Sequence, residues 1–166
     1  MNILIEGPDA SGKSTLVQEI LREFPYLTHW HLTSSTPDVT EGIKFYENKL
    51  NCIFDRGIIS TLVYSEIFKD TIKPTFSDVL WVLNRMDYII FCIPQNKEKY
   101  LEHFQTISKE RHEDYKNMTR VYDKFNRIYK QLKLLNYFNC SRFDIFRNAE
   151  KTQETQERII NELKCL

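Results

Sequence analysis

The chain has 166 residues, with 23 Lys and Arg against 23 Asp and Glu, so its formal net charge is zero. That length holds one domain with a sizeable core, and the charge balance argues against a protein that grips long nucleic acid through many phosphates, which needs a basic face. No apolar run approaches membrane-spanning length and no signal-peptide pattern precedes the first strand, which predicts a soluble, cytoplasmic protein with no membrane partner.

The first predicted element is a short buried strand, Ile3-Leu4-Ile5, followed at once by Gly7-Pro8-Asp9-Ala10-Ser11-Gly12-Lys13-Ser14. That is the G-x-x-x-x-G-K-[ST] spacing of a phosphate loop. Leu16, Val17, Ile20 and Leu21 then recur on one helical face, so the motif sits between a strand and a helix. Gly7 and Gly12 let the backbone curl until successive N–H groups face a phosphate, and the helix opening near Gly12-Lys13 points its positive dipole end at the same anion. In this motif Lys13 reaches the β- and γ-phosphates of ATP and Ser14 offers its hydroxyl to Mg²⁺. The nucleotide cradle is read as Gly7, Asp9, Ala10, Ser11, Gly12, Lys13, Ser14 and Thr15.

Thr28 to Thr33 alternates like a strand and puts His29 and His31 on one face. A metal is one reading of such a pair. No third ligand is apparent in the neighbouring sequence, so both are read as ordinary strand histidines. Residues 34–40 read as a loop and Glu41 to Leu50 as a short helix. Asn51 to Phe54 is the next buried strand and ends on Asp55-Arg56, at the strand end where open α/β sheets bind ligands. Asp55 is read as serving the metal and Arg56, a rigid guanidinium fork, as holding phosphate.

Helices are predicted from Ile58 to Phe68 and from Phe76 to Met86, then an apolar strand from Tyr88 to Ile93 and a helix from Asn96 to Gln105. The charged stretch 107–114 carries no clean period. It reads as a small lid that closes over the phosphates, brings in Arg111 or Lys109 and excludes water. Tyr115 to Leu135 is a long amphipathic helix, Phe143 to Phe146 a last strand and Thr152 to Leu163 a closing helix. The four cysteines, Cys52, Cys92, Cys140 and Cys165, form no C-x-x-C pair and read as reduced core residues rather than metal ligands. Strands alternating with helices predict one doubly wound three-layer α/β domain over residues 1–166, with a mainly parallel five-stranded sheet.

The segment EGPDASGKST resembles the phosphate loop of thymidylate kinases, which carry an acidic residue at the position of Asp9. FDRGIISTLVY resembles the same family's strand-plus-helix element, with Asp55, Arg56, Ser60 and Tyr64 on its D-R-x-x-x-S-x-x-x-Y pattern. With so short a span before Asp55, the chain looks most like the small bacteriophage members of that family, for which the compartment would be the host cytoplasm. The resemblance implies a P-loop kinase fold with a helical lid. It also implies transfer of the ATP γ-phosphoryl to a deoxynucleoside monophosphate: dTMP, dUMP or a modified pyrimidine such as 5-hydroxymethyl-dUMP. It implies that Asp9 meets the acceptor's sugar hydroxyl or the reacting phosphates, that Arg56 binds the acceptor phosphate with Asp55, Ser60 and Tyr64 around it, that Arg111 is the lid arginine, and that Arg147 passes the adenine. It further implies a homodimer, with the helix Ile58 to Phe68 as one source of an apolar face.

The departures from the family pattern are Ala10, which leaves the loop without a basic residue, Gly57 in place of a bulky residue, and Ser65 in place of a glutamine. The segment that supplies the thymidylate stacker is almost absent between Thr33 and Asn51. Thr33, Ser34, Phe45, Tyr46, Tyr64 and Trp81 remain as candidates for reading the base. Three other readings compete: a deoxynucleoside kinase, which needs a general base near a hydroxyl acceptor and finds only Glu41 in the neighbouring sequence; a kinase acting on a modified base in DNA, which zero net charge disfavours; and a nucleotide-binding switch, disfavoured because Asn96-Lys97 continues to Glu98-Lys99 rather than to N-K-x-D.

Overall fold

The computed structural model describes residues 1–33, 42–68, 73–107 and 114–166. Five strands, β1 (Asn2–Glu6), β2 (Thr28–His31), β3 (Cys52–Asp55), β4 (Tyr88–Cys92) and β5 (Cys140–Phe143), form one sheet in the order β2-β3-β1-β4-β5. Every neighbouring pair is parallel. The helices are α1 (Lys13–Glu23), α2 (Ile58–Phe68), α3 (Phe76–Leu83), α4 (Lys97–Ile107), α5 (Asp114–Leu135) and α6 (Ala149–Lys164).

Alternation along the strands sorts the core into two layers. Ile3, Ile5, Ile53, Ile90 and Phe143 point to α1 and α6, where they meet Leu16, Val17, Ile20, Ile159 and Leu163. Leu4, Phe54, Ile89 and Phe91 point the other way, to Val63, Val82, Tyr100, Val121 and Phe125 on α2 to α5. β1, β3 and β4 are buried along their whole length, as expected for parallel strands covered on both faces. β2 is the edge strand and largely exposed.

The expected doubly wound sheet is therefore present, but several local expectations are corrected. The last strand is Cys140–Phe143, not Phe143 to Phe146. The buried carboxylate of Asp144 accepts from the backbone N–H of Phe146 at 2.9 Å and of Gln95 at 2.8 Å, which folds the chain into a turn where FDIF alone reads as a strand. The polar Ser141-Arg142 pair hid the true strand; the Arg142 guanidinium donates to the carbonyls of Ile93 and Pro94 at 2.6 Å each, so its polarity is satisfied inside the fold. The helix expected from Glu41 to Leu50 shrinks to one 3-10 stretch, Gly42–Tyr46, because consecutive Phe45 and Tyr46 are both core residues. α3 stops at Leu83, and its start is set by a capping box of Thr75 and Asp78. α6 begins earlier than expected, capped by Asn148 through the N–H of Lys151 at 3.0 Å. Cys52, Cys92 and Cys140 are buried free thiols, whereas Cys165 is exposed. The lid expected at 107–114, with Lys109 and Arg111, lies largely outside the described residues, as do Ser34 and Glu41. Among the described residues no helix is long and apolar enough to cross a membrane.

Candidate active site

The site forms where the central strands β1 and β3 end. After Glu6 the backbone turns through positive φ at Gly7 (150°), Ala10 (57°) and Gly12 (88°) and enters α1 at Lys13. No side chain caps that helix, so its first N–H groups remain directed at the loop's interior. A Cβ at Gly7 would stand 2.3 Å from the Cys92 carbonyl oxygen, and one at Gly12 2.4 Å from Ile145 Cγ2. Both glycines are thus required by space as well as by φ. Lys13 is buried and folds back on its own loop, donating to the carbonyls of Gly7 at 2.9 Å and Pro8 at 2.7 Å. Burial lowers its ammonium pKa, the charge of Arg56 adds to the fall, and Asp9 and Asp55 oppose it. Tyr100 on α4 holds the loop from outside, its hydroxyl donating to the Asp9 carbonyl at 2.8 Å.

The second half of the site follows β3. Arg56 stands in the left-handed region at φ 70°, a conformation that costs a non-glycine residue about 1 kcal/mol or more. Its backbone N–H donates to Ile5 at 2.8 Å, which pins the turn to β1. That turn sends the guanidinium across the cavity to the Asp9 carboxylate, with which it is hydrogen-bonded and ion-paired. The buried Nε of Arg56 has no hydrogen-bond partner among the described residues. Tyr64 lies beside this pair, its ring centroid 5.8 Å from the guanidinium; burial, then the charge of Asp9, pushes its hydroxyl pKa up. Asp55 is 2% exposed. Its Oδ2 accepts from His31 Nδ1 at 2.8 Å, and its Oδ1 has no partner among the described residues.

The two halves enclose a cavity of about 300 Å³ lined by residues 9 to 15 of the phosphate loop with His31, Asp55, Arg56, His103 and Ile145. Of the residues expected at the site, Asp9, Ala10, Ser11, Gly12, Lys13, Ser14, Thr15, Asp55 and Arg56 line it together. Gly7 lies beneath them at the turn. Ser60 does not reach it: the Ser60 hydroxyl and backbone N–H both go to the Glu6 carboxylate, which also accepts from the N–H of Ile59 at 3.1 Å. Glu6 is fully buried and acts as the N-terminal anchor of α2; burial pushes its carboxyl pKa up to about 7, against the pull of those hydrogen bonds and of Lys13. Arg147 is also elsewhere, 3.9 Å from Asp144 in a neighbouring cavity with Gln95, Arg142 and Arg158.

Of the base-reading candidates, Phe45 and Tyr46 are core residues. Trp81 carries the Arg85 guanidinium 3.2 Å above its ring. Gly57 is explained by space, since a Cβ there would stand 2.8 Å from Leu4 Cδ1 and 3.0 Å from the Tyr46 hydroxyl. Ser65 is buried and donates to the Leu62 carbonyl at 3.1 Å within α2.

Glu6, His31, Tyr100 and His103 carry positions at this site that the motifs do not announce. Glu6 had one sequence signal, a charge closing an apolar strand directly before Gly7.

No protein-family model matches the sequence, and no curated protein sequence matches it. Solved structures do. YorR from Bacillus subtilis, in complex with phosphorylated GDP, superposes with a TM-score of 0.77 at 17% identity, over 99% of this chain and 96% of that one. The chain has the fold of a P-loop nucleotide kinase. Deoxyadenosine kinase from M. mycoides shares that fold, with a TM-score of 0.66 at 17% identity over the whole of both chains in its structure with bound dCTP. Its structure with bound dATP gives a TM-score of 0.61. The loop after β1 and the Asp55-Arg56 turn face each other across the cavity described above.

Proposed function

We propose that the chain is an ATP- and Mg²⁺-dependent phosphotransferase that converts a deoxynucleoside monophosphate to the diphosphate. The observation that carries this reading is the pair of cationic centres on one cavity, Lys13 beneath the phosphate loop and Arg56 across from it. A single triphosphate needs only the first. The second, whose buried Nε has no partner among the described residues, suits another anion.

The roles follow from chemistry. The loop amides and Lys13 hold the donor's β- and γ-phosphates. Ser14 and Asp55 suit Mg²⁺: both line the cavity, both offer hard oxygen, and the buried Oδ1 of Asp55 lacks a partner among the described residues. Bound there, Mg²⁺ would neutralise charge on the donor's phosphate oxygens. Arg56 releases Asp9 and takes the acceptor phosphate. Asp9 turns to the acceptor's sugar hydroxyl, and Tyr64 fills the space beside them. Arg111 supplies the lid cation and Arg147 lies on the adenine side. The acceptor is a pyrimidine deoxynucleotide: dTMP, dUMP or a modified form such as 5-hydroxymethyl-dUMP.

A second reading, a deoxynucleoside kinase, is supported by the end-to-end likeness to the M. mycoides deoxyadenosine kinase. One experiment separates them. A panel of deoxynucleosides and deoxynucleoside monophosphates is incubated with Mg·ATP, and ADP release and phosphorylated product are measured. Product from a monophosphate but not from its nucleoside is expected. Product from nucleosides alone selects the second reading, and no turnover with any of them overturns both.

A further inference from the structure

At the open edge of the sheet three metal-ligating side chains converge. His29 and His31 are two residues apart on β2 and so project from one face. In the β2–β3 register His31 lies opposite Asp55. One ligand atom from each of the three comes within 4.8 Å of the others, with His31 Nδ1 and Asp55 Oδ2 at 2.8 Å. Both imidazoles are exposed, whereas Asp55 is 2% exposed and keeps one oxygen without a hydrogen bond among the described residues. A buried carboxylate with an idle oxygen calls for a further partner.

We propose that His29, His31 and Asp55 form a site for one first-row transition-metal dication, of the Zn²⁺ or Co²⁺ class. The donor set selects the class. Imidazole nitrogen suits these ions, whereas Mg²⁺ requires an all-oxygen octahedral shell. The spacing also fits. A tetrahedral ion with bonds of about 2.1 Å sets its ligands about 3.4 Å apart, and rotation of the exposed rings closes the remaining gap. When His31 ligates through Nδ1, the proton now shared with Asp55 leaves for solvent or for the other ring nitrogen. Three protein ligands leave at least one coordination position for water or an anion. Asp55 is common to this site and to the Mg²⁺ position above, so the two ions compete for one carboxylate. Binding itself does not depend on the phosphoryl-transfer reading.

The test uses the full-length, metal-free protein without nucleotide, titrated with CoCl₂ and followed by visible absorption, with parallel thermal melts in ZnCl₂. The wild type is expected to take up one Co²⁺ per chain with saturation, and Zn²⁺ is expected to raise its Tm. His29→Ala and His31→Ala should each weaken Co²⁺ binding at least about tenfold and lose the Zn²⁺-dependent rise. Both side chains are exposed on an edge strand, and unchanged far-UV circular dichroism checks that the variants fold. Absence of saturable uptake by the wild type overturns the site. So does uptake that His29→Ala leaves unaltered, which would put the ion elsewhere, as on the exposed thiol of Cys165. A wild type that takes up no Co²⁺ yet produces ADP normally would remove this site and leave the kinase reading intact.

Discussion

The loop after β1 and the turn after β3 face one cavity, yet they are made differently. The first presents backbone: amides brought inward by positive φ at Gly7, Ala10 and Gly12, with Lys13 folded beneath them. The second presents side chains, Asp55 and Arg56, and each is held by a group from another element: His31 on β2 for Asp55, Asp9 in the phosphate loop for Arg56. A backbone site is specified by what its residues lack, so it tolerates no added atoms. A side-chain site is specified by its partners, so its behaviour follows from residues distant in sequence. Glu6 joins the two, since it ends β1 directly before the first loop and caps α2 directly after the second turn.

Substitutions can break this contrast, beginning where the effect should be largest. Lys13→Ala removes the ammonium folded beneath the backbone site. It should lower kcat about 1000-fold while the protein stays folded, measured as ADP release alongside circular dichroism; an active variant would overturn the donor assignment.

Glu6→Gln should act on stability rather than on either ligand. The unfolded chain loses that proton near pH 4.5, whereas the folded chain holds it to about pH 7. The folded state therefore binds more protons between those values, and this carboxyl costs the wild type about 3 kcal/mol of stability as pH rises through the window. Urea melts at pH 4.5 and 7.5 should record that loss in the wild type, and the glutamine variant, which cannot ionise, should lack this contribution. Parallel pH dependences in the two proteins would mean that Glu6 is already ionised when the chain folds.

Arg56→Ala tests the side-chain half. It should raise the acceptor KM and lower kcat, together about 10- to 100-fold in kcat/KM, with ATP affinity by calorimetry nearly unchanged. A collapse of ATP affinity would move Arg56 to the donor. The smallest effect is expected for Arg111→Ala, a fall of about tenfold or less in kcat at unchanged KM. An unaltered kcat would return 107–114 to an ordinary solvated connection.

The same contrast governs how much of the molecule was legible beforehand. Glycine spacing between an apolar run and a helical period identifies the phosphate loop, because the constraint is local and the residues are contiguous. The two-sided apolar strands β1, β3 and β4 were legible for the same reason. β5 was not, because Ser141 and Arg142 look like loop residues until the carbonyls of Ile93 and Pro94 are brought against Arg142. Ser60 was read toward a substrate, although its partner is Glu6, 54 positions earlier in sequence. His29 and His31 seemed to lack a third ligand only because Asp55, 24 residues beyond His31, comes beside it through strand pairing.

By itself, then, the sequence determined the α/β class, a glycine-spaced P-loop motif between the first strand and helix, and an Asp-Arg pair at the end of a second strand. These follow from periodicity, from φ values that glycine permits, and from the placement of charge at strand ends. Only the tertiary structure decided that Arg56 crosses to Asp9, that Glu6 and Ser60 cap a helix, and that Asp55 pairs with His31 close to His29. Those contacts join residues on different strands, and sheet order and register, which emerge when the whole chain packs, set which of them meet.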